Sequence, residues 1–363
     1  MAPSLTLRAG PEALAIVRER GLRAGDVDIL PGASGGAKWL AIAGLDRFLF
    51  GEFLQEPRAR PLHLIGSSIG SWRMACLAQR DPVAALARGH HAYIHEQRYT
   101  RRPSAREVTE VLGRALDALL GPTGADEVLS HPWARLHVIT AEARGLAASE
   151  RRLLLTASMA AAAVGNLVSR RTLALQLRRC IFHSCGDETP FRHLADLRTV
   201  HRPLTRDNLR AALLASGSIP LLLEGVRISD GEGEAGGLHW DGGVVDYHLD
   251  LDFGAGAGLV LYPHFYPHVV PGWFDKALRW RRARGGNFRR ALLVAPSDAF
   301  VASLPGRKLP DRRDFYALTE GERMRRWQAV VDASARLGDE LRELVATGRL
   351  AARVQPWAPR GDA

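Results

Sequence analysis

The chain has 363 residues, 46% of them hydrophobic and 24% charged, which excludes a disordered polymer and supplies apolar material for a large core. Forty-nine basic residues against 39 acidic ones give a formal charge of +10, and every cation except Lys38, Lys276 and Lys308 is an arginine. That balance suits a phosphate-bearing partner or an arginine-rich solvated surface, but no nucleic-acid-binding motif accompanies it, so nucleic acid is an unlikely partner.

In chain order, short apolar runs end in Gly- or Pro-containing turns and lead into helical patterns: 27–30 before 39–50, then 62–65 before 72–79. This alternation is the grammar of βαβ units. Helical periodicity follows at 108–120 and a strand-like run at 136–140. The Ala-rich stretch 153–169, interrupted by Thr156, Ser158, Gly165 and Asn166, reads as a buried helix rather than a membrane span. Further strand-like runs are 180–183, 258–262 and 291–294, with helical periodicity at 208–215 and 323–345. Residues 229–237 read as an acidic, exposed loop, and the last helix trails into a Pro/Arg tail after Leu350. The sum is a layered α/β sheet, divided into an N-terminal segment (1–25), a main domain (26–305) and a C-terminal helical extension (306–363).

Cys76, Cys180 and Cys185 offer no even-numbered framework and no CxxC, which points to a reducing compartment with the thiols as core filler. Arg8, Glu12, Arg18, Glu19 and Arg20 leave no apolar stretch for a secretory signal. The expected location is cytoplasmic.

Gly66-Ser67-Ser68-Ile69-Gly70 follows an apolar run and precedes a helical pattern, the setting of a nucleophile elbow. Small residues at 66 and 70 let the backbone bend tightly and expose Ser68 Oγ at a helix N-terminus, where free N–H groups favour developing negative charge. Upstream, Pro31-Gly32-Ala33-Ser34-Gly35-Gly36-Ala37-Lys38 also joins a strand to a helix. A phosphate loop would need Gly at 37 and Ser or Thr at 39, but Ala37 and Trp39 stand there, and an indole cannot ligate Mg²⁺. An oxyanion hole needs only the amides of Gly35 and Gly36 turned toward one point.

Only two strand-like runs precede Ser68, too few for an α/β-hydrolase with its later histidine. The candidate base is instead Asp241, in His239-Trp240-Asp241-Gly242-Gly243, a strand-end carboxylate bracketed by glycine. His248 is the alternative triad histidine. His91 and His95 share a helix face but lack a third ligand, so no metal is expected.

Four ordered elements together resemble the patatin-like phospholipase family: the glycine loop with its basic residue, the GxSxG elbow, Ala215-Ser216-Gly217-Ser218-Ile219-Pro220, and the distal Asp-Gly-Gly. The resemblance runs from about Val27 to Ser297. It implies a three-layer αβα sandwich and a Ser–Asp dyad that needs no cofactor, with Ser68 as nucleophile and Asp241 as base. It also assigns Gly35 and Gly36 to the oxyanion hole and matches Lys38 to the family's Arg/Lys, with Gly66, Gly70, Gly242 and Gly243 supporting the motifs. Two departures stand out: Ser34 opens a loop that in the family more often has Gly at both ends, and Tyr247-His248 replaces the usual Asn and Pro. The implied substrate is a lipid acyl ester. Alternatives on the same fold are an acyltransferase using the same acyl-enzyme and a catalytically silent lipid-binding protein. Trp273, Phe274 and Trp280 among Lys276, Arg279, Arg281, Arg282 and Arg284 are candidate contacts for the surface of an anionic membrane, to which the protein would bind peripherally.

Overall fold

The runs VDILPG and LHLIGS carry apolar residues on both faces, as strands covered on both sides require. In the computed structural model, which describes residues 2–357 except 187, 230–235, 255–257, 279, 282 and 284, they lie side by side at the centre of the sheet. The strands are β1 (Leu5–Ala9), β2 (Val27–Gly32), β3 (Leu62–Ser67), β4 (Ala134–Ala143), β5 (Leu177–His183), β6 (Thr199–Pro203), β7 (Val226–Ile228), β8 (Gly237–Asp241), β9 (Leu259–Pro263), β10 (Ala291–Pro296) and β11 (Gln355–Pro356). Their order is β11-β1-β10-β9-β2-β3-β4-β5-β6, with β8 joined to β4 and β7 to β8. Pairing is parallel from β10 through β9, β2, β3 and β4, and antiparallel at β1–β10, β4–β5 and β4–β8. The fold is thus mixed α/β, a mostly parallel central sheet flanked by helices.

The helices are α1 (Pro11–Arg20), α2 (Ala43–Gly51), α3 (Ile69–Leu77), α4 (Pro82–His95), α5 (Ala105–Leu120), α6 (Gly124–Leu129), α7 (Arg152–Val168), α8 (Arg206–Ser216), α9 (Asp298–Ser303), α10 (Asp314–Ala317), α11 (Glu320–Ala333), α12 (Ala335–Ala346) and α13 (Leu350–Arg353). Every residue of α3 is buried. Its Arg73 forms a bidentate pair with Asp46 of α2 at 2.7 and 2.6 Å, locking the two helices together inside the core.

Several expectations change. The flanking segments are woven into the central architecture: β1 enters the sheet, and α12 packs on α2. The periodicity at 323–345 is two helices, broken at Ser334, whose hydroxyl accepts the Gly44 amide at 2.8 Å. The tail after Leu350 forms structure as far as the described residues run, in α13 and β11. Trp357 is buried against Phe288 at 4.5 Å, and its amide donates to Ala9 O at 2.7 Å. α7 is a surface helix, not a buried one. Residues 230–235 of the expected acidic loop lie outside the described residues. No helix among the described residues is long and apolar enough to cross a membrane.

Candidate active site

The register of β4 brings the site together. β3 runs along β4 until Ser67 faces Ile139, and β8 takes over the same edge with Asp241 facing Thr140. Two strands therefore end head to head, and the residue after one meets the last residue of the other. Ser68 Oγ donates to Asp241 Oδ2 at 2.8 Å, and both residues are buried. Asp241 Oδ1 accepts the Gly243 amide at 2.6 Å.

Ser68 sits at φ 55°, ψ −134°, a conformation that an L residue adopts only when its surroundings impose it. The imposing groups are visible. Its amide donates to Ser216 Oγ at 2.9 Å, and that hydroxyl donates to Ile139 O at 2.6 Å. Ser71 Oγ donates to Ser68 O at 2.6 Å. Ser218 O accepts the Asp241 amide at 2.8 Å, so the Ala215–Pro220 motif clamps both backbones. Gly70 is required by close approach, since a Cβ there would lie 1.9 Å from Gly32 O. Gly243 is required likewise, with Ser34 Oγ 2.5 Å from such a Cβ. Gly66 and Gly242 fill equally tight places, against Ser71 and Ile139 O.

Burial is the leading influence on Asp241 and raises its pKa to about 6, against the hydrogen bonds from Ser68 and Gly243 and the charge of Lys276. This is the change a neutral-pH general base needs.

Gly35, Gly36 and Lys38 line the same cleft as Ser68 and Asp241. Ser34 does not supply a further amide, because its N–H is bonded to Tyr247 O at 2.8 Å. The family departures at 34 and 247 thus meet in one contact. Gly36 has φ +55°. Lys38 Nζ is 3.4 Å from Gly35 O, and burial lowers its pKa.

The cleft measures about 710 Å³ and pairs an apolar wall, including Val108, Leu112, Ile219, Leu222, Val244 and Phe315, with converging cations. One of those cations is Lys276. Its Nζ stands 3.8 Å over the Tyr247 ring; the residue stays exposed at the mouth of the cleft, and partial desolvation there leads in lowering its pKa to about 7, followed by the nearby Lys38, with Arg312 adding to the effect and Asp241 opposing it. Sequence reasoning placed Lys276 among membrane contacts and missed its part in the cleft. Arg312, Arg313 and Phe315, from the segment read as an appended extension, are also wall residues.

Other candidates fall elsewhere. His248 Nδ1 accepts the Val270 amide at 3.1 Å, and burial holds the ring well below its usual pKa; both Asp241 oxygens are bonded to other groups, so no triad forms. The rings of His91 and His95 lie 4.8 Å apart, tilted by 39°, on α4. Of the expected membrane contacts, Trp273 is half-buried at the cleft and Phe274 half-buried on the core. Arg281 is paired with Asp275 at 3.7 Å, and Trp280 is 71% exposed. Arg279, Arg282 and Arg284 lie outside the described residues.

Among the described residues, one group could hold a metal ion: His63 Nδ1, His137 Nε2 and Cys185 Sγ, within 4.8 Å of one another. The two imidazoles are 3.1 Å apart and hydrogen-bonded to each other. His63 stands near the start of β3, away from Ser68, and His137 on the adjoining β4 opposite Ile65. Cys76 and Cys180 are buried in the core, as expected of filler.

Comparison with family models, with curated proteins and with solved structures gave no match.

Proposed function

We propose that this chain is a serine acyl hydrolase of the patatin-like type, a Ser68–Asp241 dyad enzyme on an αβα sandwich that cleaves acyl esters of lipids. The observation that carries the reading is the 2.8 Å hydrogen bond from Ser68 Oγ to a buried carboxylate whose pKa is raised to about 6. A serine hydroxyl is a weak nucleophile until a base can take its proton. As Oγ attacks the ester carbonyl, the proton passes to Asp241 Oδ2. The Gly35 and Gly36 amides and the start of α3 then face the oxyanion. Collapse expels the alcohol, which takes the proton from Asp241, and leaves an acyl-Ser68. Water attacks that ester, gives its proton to Asp241 and releases the acid; the proton then returns to Oγ.

The apolar wall suits an acyl chain, and the cations Lys38, Lys276 and Arg312 at the same cleft suit an anionic head group. A phospholipid or lysophospholipid fits both better than a neutral glycerolipid. A fluorophosphonate probe should label the wild-type chain and spare Ser68→Ala. Labelling of both would put the reactive nucleophile at a residue other than Ser68, and labelling of neither would leave only a lipid-binding protein. Product analysis with and without an acceptor alcohol separates hydrolysis from acyl transfer, since both proceed through the same acyl-enzyme.

A further inference from the structure

A helix on a protein surface normally turns its apolar stripe inward. α7 buries Leu155, Met159 and Ala162 in that way, yet it also turns a second set of apolar residues outward. Its buried positions are Leu155, Ser158, Met159, Ala162 and Asn166, and two of these are polar groups tied down by hydrogen bonds, Ser158 to Gln176 at 2.8 Å and Asn166 to Asp275 at 2.7 Å. Its outward positions include Leu153, Val164, Leu167 and Val168, which are 85%, 65%, 53% and 84% exposed. Leu175, in the 3-10 turn Arg170–Leu175 that follows, is 75% exposed. Trp280, at 71%, belongs to the same region, because the adjacent Arg281 donates to Leu167 O at 3.3 Å. Scattered single apolar residues on a surface mean nothing, but a continuous row along one helix face marks a contact.

The rim identifies the occupant. Arg144, Arg151, Arg152 and Arg171 are exposed around this face, while α7 itself contains no Asp, Glu or Lys. The neighbouring Glu150 is paired with Arg227 at 3.9 Å. A two-fold contact between copies of the chain would set this arginine rim against itself. An anionic lipid surface would instead receive apolar side chains at its centre, a tryptophan at the headgroup level and cations on its phosphates.

We propose that α7, with the turn after it and Trp280, docks in the plane of an anionic lipid surface. This moves the membrane contact expected at 265–284 onto a different element and keeps only Trp280 from it. The placement also serves the hydrolase reading, on which its purpose rests. The 3-10 turn Trp273–Ala277 packs against α7 through Asp275 and carries Trp273 and Lys276 to the cleft, so docking would bring the cleft toward the acyl chains.

The test uses the full chain as Ser68→Ala, so that binding is measured without turnover. It should co-sediment with phosphatidylcholine vesicles containing about a third phosphatidylglycerol, less with pure phosphatidylcholine, and less as salt rises. Val164→Asp with Val168→Asp should weaken binding about tenfold or more, at unchanged melting temperature and with unchanged short-chain ester hydrolysis in the Ser68 background. Leu153→Ser with Leu175→Ser is a second variant at the two ends of the face. If both variants bind vesicles like their parent, the inference is overturned. It is equally overturned if the parent is a lipid-free dimer that the variants dissolve while vesicle binding persists. Loss of ester hydrolysis in a chain that still binds vesicles would sink the hydrolase reading alone.

Discussion

A carboxylate beside a serine is a useful base only if it is ionised at working pH yet eager for a proton. With its pKa raised to about 6 by burial, Asp241 meets both conditions at neutrality. Turnover of a soluble ester should therefore lose activity below about pH 6 along a one-proton limb, as a rate–pH profile of kcat/KM would record. An acid limb near pH 4 would show a solvated aspartate. The same burial acts on stability. A folded pKa above the unfolded one means that the native state binds the proton more tightly. The resulting stabilisation is fully present below the unfolded pKa, near 4, and is lost as pH rises through about 6, where the buried charge costs the fold roughly 3 kcal/mol. Asp241→Asn removes that charge. It should abolish turnover and yet melt at a higher temperature than wild type at pH 8, with the difference shrinking toward pH 4. A variant that melts lower at pH 8 would mean that the carboxylate holds the turn together. Ser68 and Asp241 could be read from the sequence because each stands in a motif whose glycines answer to close backbone approach. Lys276 could not, since nothing near it in the chain shows that a 3-10 turn will deliver it to the cleft.

At the scale of elements, the two loop glycines differ in a way that separates chemistry from packing. A Cβ on Gly35 would stand 2.4 Å from the Phe265 ring, whereas one on Gly36 would meet only Tyr93 Oη at 3.8 Å, though its φ of +55° disfavours any side chain. Gly36→Ala should therefore cost about 1–2 kcal/mol of stability, while a turned amide lowers kcat about a hundredfold or more. Gly35→Ala should lower melting temperature and activity together. If Gly36→Ala keeps full kcat, its amide does not face the oxyanion. β2, β3, β9 and β10 were legible because each is an apolar run long enough to be covered on both faces. β1 was missed although its five residues alternate in burial, because so short an alternation is a weak signal, and β8 was read only at its end, before Asp241, since its buried His239 and Trp240 carry no periodic signal. The face of α7 was misread for a physical reason. Apolar content says that a helix must cover its stripe, but does not say with what.

Across the whole molecule, an ionic network ties the turn after the dyad aspartate to distant elements. Arg179 of β5 is buried and donates to both oxygens of Asp246 at 2.6 and 2.8 Å, and to Asp196 at 2.8 and 3.0 Å. Arg170 lies 3.6 Å from Asp246 and 2.9 Å from Asp275, which in turn accepts from Asn166 of α7. The segment Asp241–Asp246 is thus pinned at one end by Ser218 and Gly243 and at the other by Arg179. Removing one member of a buried pair leaves a charge in low dielectric, whereas replacing both by apolar groups of similar size is often tolerated. Arg179→Met should lower unfolding free energy by about 3–5 kcal/mol in urea titration, and should lower kcat as well by loosening the Asp241 turn. Arg179→Met with Asp246→Leu should recover most of the stability, since Asp196 remains partly open to water. Recovery of stability without recovery of kcat would mean that the network serves the geometry of the dyad rather than the fold. If the double variant is no more stable than the single one, the pair itself holds the sheet and the turn together.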